Sequence, residues 1–332
     1  MTADPRGRGT PLLSVRDLRV HFTIPRGPFR RADVLKAVDG VSFDLRPGET
    51  LGIVGESGCG KSTLGRAVLR LIEPTGGQVV WLGRHLAALR PGELRAQRKD
   101  MQVIFQDPLA SLDPRMTVGD IIGEPLVTHH RELSKAERRK RIEDIMAKVG
   151  LMPQMINRYP HEFSGGQAQR IGIARAMILN PKLIVCDEPV SALDVSIQAQ
   201  IINLLMRLQR ECQLSLIFIS HDLSVVRHFS HRSRVLYLGE VAEIADRDEI
   251  CRNPRHPYTR ALISAVPIPD PDIERTKERI VLAGDLPSPL HPPSGCCFRT
   301  RCPRAREHCA QAAPALEEIL PGHRVACHYW GE

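Results

Sequence analysis

The first hundred residues alternate apolar and polar side chains in short runs, the pattern of β-strands with one buried face. Two such runs are Leu18, Val20, Phe22 and Ile24, and then Val41, Phe43 and Leu45. A Pro-Gly turn follows at 46–49, and the continuous apolar run Leu51–Val54 predicts a buried strand. A glycine-rich turn then leads into a helix that we expect over about 61–72.

Residues from about 107 to 164 change to helical spacing with several proline breaks, which predicts an inserted helical subdomain. One helix there should begin at Ser134, with Glu137 three residues later in a capping box. Its apolar stripe consists of Ile142, Ile145, Met146 and Val149. The arginines at 138–141 then belong to the solvated face of that helix.

Strand and helix patterns alternate further along, with a strand at 183–186, a helix at 196–212 and a strand at 216–220. This alternation predicts an α/β core with a largely parallel sheet. The composition changes after about residue 250, because residues 251–332 contain 12 of the 26 prolines and six of the nine cysteines. We therefore expect a main domain over 10–250 and a separate, loop-rich extension over 251–332.

Composition and charge exclude several classes of protein. Lys and Arg number 46 against 38 Asp and Glu, giving a formal charge of +8, and 42% of the residues are apolar. This apolar content excludes a disordered chain, and the short apolar runs predict neither a membrane-spanning helix nor a secretory signal. Nucleic acid is not expected as a partner, because only 4% of the residues are aromatic and could stack on bases. We expect a cytosolic protein whose basic surface suits anionic lipid.

The strongest motif lies between the buried strand and the helix after it. Gly55, Glu56, Ser57, Gly58, Cys59, Gly60, Lys61 and Ser62, followed by Thr63, match the pattern G-x-x-x-x-G-K-S/T. Glycines let backbone N–H groups turn towards phosphates, and the helix N-terminus adds partial positive charge. Lys61 can reach the β- and γ-phosphates, and Ser62 can bind Mg²⁺. A chance glycine-rich turn is the alternative, which the flanking strand and helix disfavour.

Two adjacent carboxylates at the end of the strand at 183–186 form a second candidate site. Asp187 and Glu188 stand where α/β sheets place their ligands. Carboxylates beside apolar chain are costly unless a cation compensates their charge. Asp187 therefore suits a Mg²⁺ ligand, and Glu188 suits the polarisation of an attacking water. The alternative is a surface carboxylate pair, which the phosphate loop upstream makes the weaker interpretation.

Four further motifs, in the right order, resemble those of the ATP-binding cassette family. Phe163, Ser164, Gly165, Gly166 and Gln167 resemble its signature motif, with Phe in place of the commoner Leu. Gln106 within Val-Ile-Phe-Gln-Asp resembles its Q-loop, Asp194 ends a segment that resembles its D-loop, and His221 resembles its switch histidine. Alone, Ser164–Gln167 would be an ordinary helix cap and His221 a structural histidine, so each gains weight from the other motifs.

The resemblance implies a P-loop nucleotide-binding domain of α/β class with amino-terminal antiparallel strands. It also implies that two cassettes pair head to tail and bury two ATP molecules. The phosphate loop and Asp187 would then bind one ATP. The catalytic residues would be Glu188, His221 and Gln106, and the Mg²⁺ ligands would be Ser62, Gln106 and Asp187. Ser164, Gly165 and Gly166 would cap the γ-phosphate of the ATP on the partner cassette.

Phe22 matches the position of the aromatic residue that stacks on adenine in this family. A packing role is the alternative, since Phe22 shares one strand face with Leu18 and Val20. Cys59, inside the phosphate loop, is expected to be a small filler, although a thiol there could be sensitive to alkylation.

The carboxyl-terminal quarter resembles the oligopeptide and dipeptide importer ATPases. The matching segments are 253–262, 284–289 and 292–296, together with 159–162 before the signature. The resemblance implies a peripheral ATPase on the cytoplasmic side of the membrane that works with a second ATPase subunit, two membrane permease subunits and, indirectly, an external solute-binding protein. Peptides are the favoured cargo, with nickel, opines or glutathione as alternatives. A soluble cassette protein acting on nucleic acid or ribosomes is the rival, and the single cassette argues against it.

Four cysteines of the extension, Cys296, Cys302, Cys309 and Cys327, have the spacing C-x5-C-x6-C-x17-C. Dipeptide-importer ATPases carry a similar set that binds a 4Fe-4S cluster, and thiolates in a loop-rich segment can wrap such a cluster. Zinc is an alternative, with His308, His323 or His328 completing the site, although paired C-x2-C motifs are absent. Unligated thiols are the third possibility, and the neighbouring Cys297 makes the first ligand ambiguous.

Overall fold

The computed structural model describes residues 10–27, 32–267 and 270–332. Residues 1–9, for which no secretory signal is predicted, lie outside the described residues. The chain forms two compact units. Of the described residues, the first unit contains 10–14, 44–49 and 80–218, and the second unit contains 15–43, 50–79 and 219–332 with the gaps named above.

The order of elements follows the predicted alternation. The strands are β1 (Leu13–Ile24), β2 (Asp33–Leu45), β3 (Thr50–Val54), β4 (Gly76–Trp81), β5 (Arg84–His85), β6 (Met101–Ile104), β7 (Leu183–Asp187), β8 (Ser215–Ser220), β9 (Arg232–Tyr237), β10 (Glu240–Asp246), β11 (Glu317–Leu320) and β12 (His323–Val325). The helices are α1 (Lys61–Val68), α2 (Pro91–Gln97), α3 (Val118–His129), α4 (Lys135–Lys148), α5 (Gly165–Met177), α6 (Val195–Cys212), α7 (Leu223–Phe229), α8 (Arg247–Arg252), α9 (Pro257–Ser264), α10 (Pro271–Thr276) and α11 (His308–Gln311).

The first unit is built on parallel strands. β6 pairs with β7 in parallel register, with Ile104 opposite Cys186, and β8 is the next strand after β7. All five residues of β7 are buried, as a continuous apolar run predicts for a parallel strand. The carboxyl ends of β6 and β7 lie side by side, so the residues that follow them emerge at the same edge of the sheet.

The predicted helical insertion is present in this unit as α3 and α4, which pack on each other and on α5. Helix α4 begins at the predicted capping box. Ser134 Oγ accepts a hydrogen bond from the Glu137 N–H at 3.2 Å, and Glu137 Oε2 accepts one from the Ser134 N–H at 2.8 Å. The predicted apolar stripe is buried at all four positions, Ile142, Ile145, Met146 and Val149.

The second unit contains a mixed sheet to which the extension contributes. β3 pairs in parallel with β9, and β10, β12 and β11 follow as antiparallel neighbours. The pairing of β10 with β12 places Glu243 opposite Val325. The proline-rich composition predicts a separate extension, whereas its last two strands continue the sheet of the second unit. In the amino-terminal sheet β1 lies between β2 and β4, and the β4–β5 hairpin is antiparallel.

Helix α1 is shorter than the sequence predicts, because it ends at Val68 rather than near residue 72. Arg70 adopts a left-handed φ of 53°, and its N–H donates to the Ala67 carbonyl while the Leu71 N–H donates to the Arg66 carbonyl. These two bonds form a Schellman motif, which ends a helix. Glycine usually occupies the left-handed position, so an arginine there gives no sign of the helix end in the sequence.

Candidate functional site

The phosphate-binding loop joins β3 to α1 in the second unit, in the strand, loop and helix order that the motif requires. Two of its glycines adopt a left-handed backbone, with φ of 80° at Gly58 and 99° at Gly60, which other residues rarely adopt. A Cβ on Gly60 would also lie 1.9 Å from the carbonyl oxygen of Ala37. The path of the loop therefore requires glycine at residue 60. Ser57 and Gly58 are exposed at its tip.

Lys61 holds the loop from within. Its side chain is buried, and Nζ donates hydrogen bonds to the carbonyl oxygens of Gly55 at 2.7 Å and Glu56 at 2.9 Å. Ser62 and Thr63 follow in the first turn of α1, which has neither an acidic residue nor a side-chain cap. The ammonium group and the positive end of the helix thus occupy the same turn, which suits a phosphate anion.

Cys59 is 1% exposed within this loop. Burial raises the pKa of its thiol, although the nearby Lys61 ammonium acts in the opposite direction. A buried thiol that stays protonated reacts slowly, since the thiolate is the nucleophile. The geometry therefore fits a small filler and disfavours easy alkylation.

The acidic pair lies in the first unit at the end of β7. Asp187 is buried, and Glu188 takes the next position in a turn with a left-handed φ of 45°. Gln106, two residues beyond the end of β6, donates a hydrogen bond from Nε2 to Oε2 of Glu188 at 3.3 Å. The parallel pairing of β6 with β7 therefore brings together two of the three predicted catalytic side chains. The carboxylate of Glu188 is suited to accept a proton from a water molecule.

The signature segment begins helix α5, also in the first unit. Ser164 is the N-cap, and its Oγ accepts from the Gln167 N–H while Gln167 Oε1 accepts from the Ser164 N–H at 3.0 Å. Gly165 and Gly166 form the first turn, whose N–H groups have no carbonyl partner within the helix. Asp194 is the N-cap residue of α6, where its side chain makes no capping hydrogen bond.

Phe22 and His221 belong to the second unit. Leu18 and Val20 on the same strand are buried, whereas Phe22 is 39% exposed. Phe22 is therefore less buried than the packing alternative expects, and part of the residue is exposed. His221 directly follows β8 and is also exposed.

The extension contacts the phosphate loop, a contact that no sequence motif predicts. The Glu56 N–H donates to the hydroxyl oxygen of Tyr258 at 2.8 Å, and the Arg301 guanidinium donates two hydrogen bonds to the Glu56 carboxylate, at 2.7 and 3.1 Å. Partners 202 and 245 residues away leave no trace in local patterns. The only sign is that Tyr258 lies in a segment typical of importer ATPases.

The four predicted cysteine ligands line one cavity in the second unit. They are Cys296, Cys302, Cys309 and Cys327. Burial raises the pKa of Cys296 to about 11 and also raises the pKa of Cys302 and Cys327, with the other cysteines acting in the same direction. Cys297 does not line this cavity. It forms a hydrogen bond with Glu240, and the two side chains line a neighbouring cavity to which Cys296 also contributes.

The histidines considered as zinc ligands differ in position. His323 is buried and bonded to Glu243 at 2.7 Å, whereas His328 lines the cysteine cavity and its ring centroid lies 4.4 Å from that of His308. Within the described residues, no three His, Cys, Asp or Glu side chains have the arrangement of a site for a single metal ion. Among the same residues, no helix has the length and hydropathy needed to cross a bilayer.

Comparison with known proteins identifies the family of the chain. Residues 38–191 match the family model for ABC transporters, and residues 242–309 match that for the oligopeptide/dipeptide transporter C-terminal region. The oligopeptide transport ATP-binding protein OppF of Escherichia coli is 60% identical over 98% of both chains. OppF of Salmonella typhimurium is 61% identical over 95% of both chains.

Solved structures agree with the sequence relatives. A dimeric post-hydrolysis structure of the ATP-binding cassette MJ0796, bound to ADP and Pi, superposes with a TM-score of 0.63 at 30% identity. The match covers 71% of this chain and 98% of that one. The chain belongs to the ABC transporter ATPases, in the branch that carries the oligopeptide/dipeptide transporter C-terminal region.

Proposed function

We propose that this chain is the ATP-hydrolysing subunit that powers import of oligopeptides across the cytoplasmic membrane. The relatives that match almost its entire length are named as oligopeptide transport ATP-binding proteins. The observation that carries the proposal is the Gln106–Glu188 hydrogen bond at the end of the paired strands, because it brings the carboxylate that hydrolysis needs next to the Gln106 side chain. A binding-only subunit would not require that carboxylate.

We assign each part of ATP binding and hydrolysis to residues of this chain. Lys61 and the N-terminus of α1 would bind the β- and γ-phosphates of ATP, and Ser62, Gln106 and Asp187 would hold Mg²⁺, which neutralises phosphate charge when bound. Glu188 would orient the attacking water and accept its proton. His221 is the third proposed catalytic residue.

Two further ligand contacts rest on exposed parts of the chain. Phe22 would stack on adenine, with the face that remains exposed. Ser164, Gly165, Gly166 and Gln167 would act on the ATP of a second ATPase subunit, together with Asp194 of the D-loop. The uncommitted N–H groups at the start of α5 suit a γ-phosphate.

The proposed assembly places the chain on the cytoplasmic face of the membrane. It would contain a second ATPase subunit, two permease subunits and an external solute-binding protein that delivers cargo. The helical insertion, about 107–164, would transmit ATP-driven motion to the permeases. The main domain would end near residue 250 and the extension would occupy 251–332.

The experiment is ATP hydrolysis by the chain reconstituted with its permeases and binding protein in liposomes. Oligopeptides on the binding protein should stimulate hydrolysis, and the Glu188→Gln substitution should abolish it. Stimulation by Ni²⁺, an opine or glutathione instead would reassign the cargo. Stimulation of the isolated chain by RNA or ribosomes would overturn the transport function.

We further propose a 4Fe-4S cluster on Cys296, Cys302, Cys309 and Cys327. The support is that all four thiols line one cavity. A cluster carries its thiolates on separate iron atoms, whereas zinc needs four ligands at about 2.3 Å or less around one ion. When bound, it would cross-link the loops of the extension. Anaerobic purification should yield iron and acid-labile sulfide, lost in Cys302→Ser and retained in the control Cys297→Ser. Stoichiometric zinc without sulfide, or no metal, would contradict the cluster.

A further inference from the structure

The extension holds the start of the phosphate loop by two separate groups, both directed at Glu56. Tyr258 accepts the backbone N–H of Glu56, and Arg301 binds its carboxylate with two parallel hydrogen bonds. All these residues lie in the second unit. Backbone and side chain of one loop residue are therefore both fixed from outside the cassette motifs.

Tyr258 belongs to a buried aromatic cluster and Arg301 lies close to that cluster in the sequence, which restricts the movement of both side chains. Tyr237, Tyr258 and Phe298 are each at most 1% exposed, with ring centroids 4.8 to 5.4 Å apart. Arg301 follows Phe298 by three residues, and its side chain is only 10% exposed against 28% for Glu56. A bidentate pair with so little solvent differs from an exposed ion pair, which contributes little.

Glu56 also contacts Lys61, the lysine proposed to bind phosphate. Lys61 Nζ donates to the carbonyl oxygens of Gly55 and Glu56, so the position of these two carbonyls sets the position of the ammonium group. A shift of the Glu56 backbone would therefore move the charge that is to meet the phosphates. Small displacements of a positioned charge have large effects on binding and catalysis.

We infer that Arg301 and Tyr258 are positioning residues of the nucleotide site, acting through Glu56 on Lys61. The extension is then part of the ATP-binding apparatus as well as a carboxyl-terminal attachment. This inference rests on the proposed function, since it presupposes that the loop binds ATP. It concerns side chains outside all the cassette motifs.

The test is the dissociation constant of Mg-ATP for the purified full-length chain, measured by calorimetry on five variants and one control. Arg301→Met, Glu56→Gln and Tyr258→Phe should each raise it by about three- to tenfold, since each removes hydrogen bonding to Glu56 that acts on the site indirectly. Arg301→Lys should give an intermediate value, because lysine keeps the charge and loses the bidentate geometry. In the double variant Arg301→Met/Glu56→Gln the effect should not exceed that of the larger single change, since both remove the same contact.

A merely structural effect would look different in the same titrations. Partial unfolding lowers the number of sites per chain and leaves the dissociation constant of the folded fraction unchanged. Arg324→Met is the matched control, because Arg324 forms an exposed pair with Glu318 in the same extension and should bind ATP like the unaltered chain. If Arg301→Met and Tyr258→Phe both stay within about twofold of that chain, the positioning role is wrong. Failure of the unaltered chain to bind ATP would instead overturn the proposed function.

Discussion

His323 lies with Nε2 2.7 Å from Oε1 of Glu243, and both side chains are buried. Glu243 also accepts the backbone N–H groups of Arg255 at 2.7 Å and His256 at 3.0 Å. One carboxylate on β10 thus joins β12 to the chain entering α9. A buried carboxylate is tolerable only with such partners, so this residue ties the extension to the sheet.

Replacing His323 by leucine should destabilise the chain strongly. The substitution removes the side-chain hydrogen-bond partner of the buried Glu243 carboxylate, and leaving a buried polar group without such a partner costs about 1–3 kcal/mol. Urea unfolding followed by circular dichroism should show a lower midpoint. Arg324→Met, one residue further along β12, removes an exposed pair and should cost below about 1 kcal/mol. Equal midpoints for the two variants would contradict the role given to Glu243.

The cysteines outside the extension should differ in reactivity. Cys59 is buried with a raised pKa, whereas Cys212 is partly exposed and 3.2 Å from the Lys148 ammonium. Because the thiolate reacts, iodoacetamide at neutral pH should label Cys212 well before Cys59, measured by peptide mass spectrometry of the folded chain. Labelling in urea, where both thiols are accessible, is the control. Faster labelling of Cys59 in the folded chain would mean that the loop opens.

Two alanine substitutions in the phosphate loop should distinguish the effect of backbone strain on ATP binding from the effect of a steric clash. Gly58→Ala meets a positive φ but no atom within 4 Å, so it should cost about 1 kcal/mol and weaken ATP binding modestly. Gly60→Ala meets the same kind of φ and a carbonyl oxygen 1.9 Å from its Cβ. We expect it to abolish ATP binding, as measured by calorimetry beside thermal unfolding. Similar affinities in both variants would mean that the loop can relax away from Ala37.

Local patterns predict much of this molecule because their physical causes are local. The capping box at Ser134 needs residues three apart, and the burial of β7 follows from its unbroken apolar run. The same holds for the strand, loop and helix around Lys61. The left-handed backbone of the phosphate loop requires glycine, and the motif specifies glycine at those positions.

The remaining features depend on contacts between distant segments. Nothing near Val325 indicates that β12 pairs with β10, because the prolines before it suggest irregular structure. Arg301 lies 245 residues from Glu56. The chain contains many arginines, and the local sequence around Arg301 does not indicate which carboxylate it pairs with. Alternation along β1 places Phe22 on the buried face, but the strand's burial ends before it, so the residue is exposed.

Glu188 should be necessary for hydrolysis and dispensable for binding. Glutamine preserves the size of the side chain, and its carbonyl oxygen can still accept the hydrogen bond from Gln106 Nε2. It cannot accept a proton, so we expect Glu188→Gln to bind ATP normally and to lose turnover by at least about 100-fold.

The measurement is phosphate release by the reconstituted complex, beside the ATP dissociation constant of the full-length chain. Glu73→Gln is the matched control, because Glu73 is an exposed carboxylate paired with Arg70 and should leave both quantities unchanged. A Glu188→Gln chain that still releases phosphate at a comparable rate would remove Glu188 from the mechanism. A chain that also loses ATP affinity would show that the carboxylate contributes to binding, which its bond to Gln106 alone does not require.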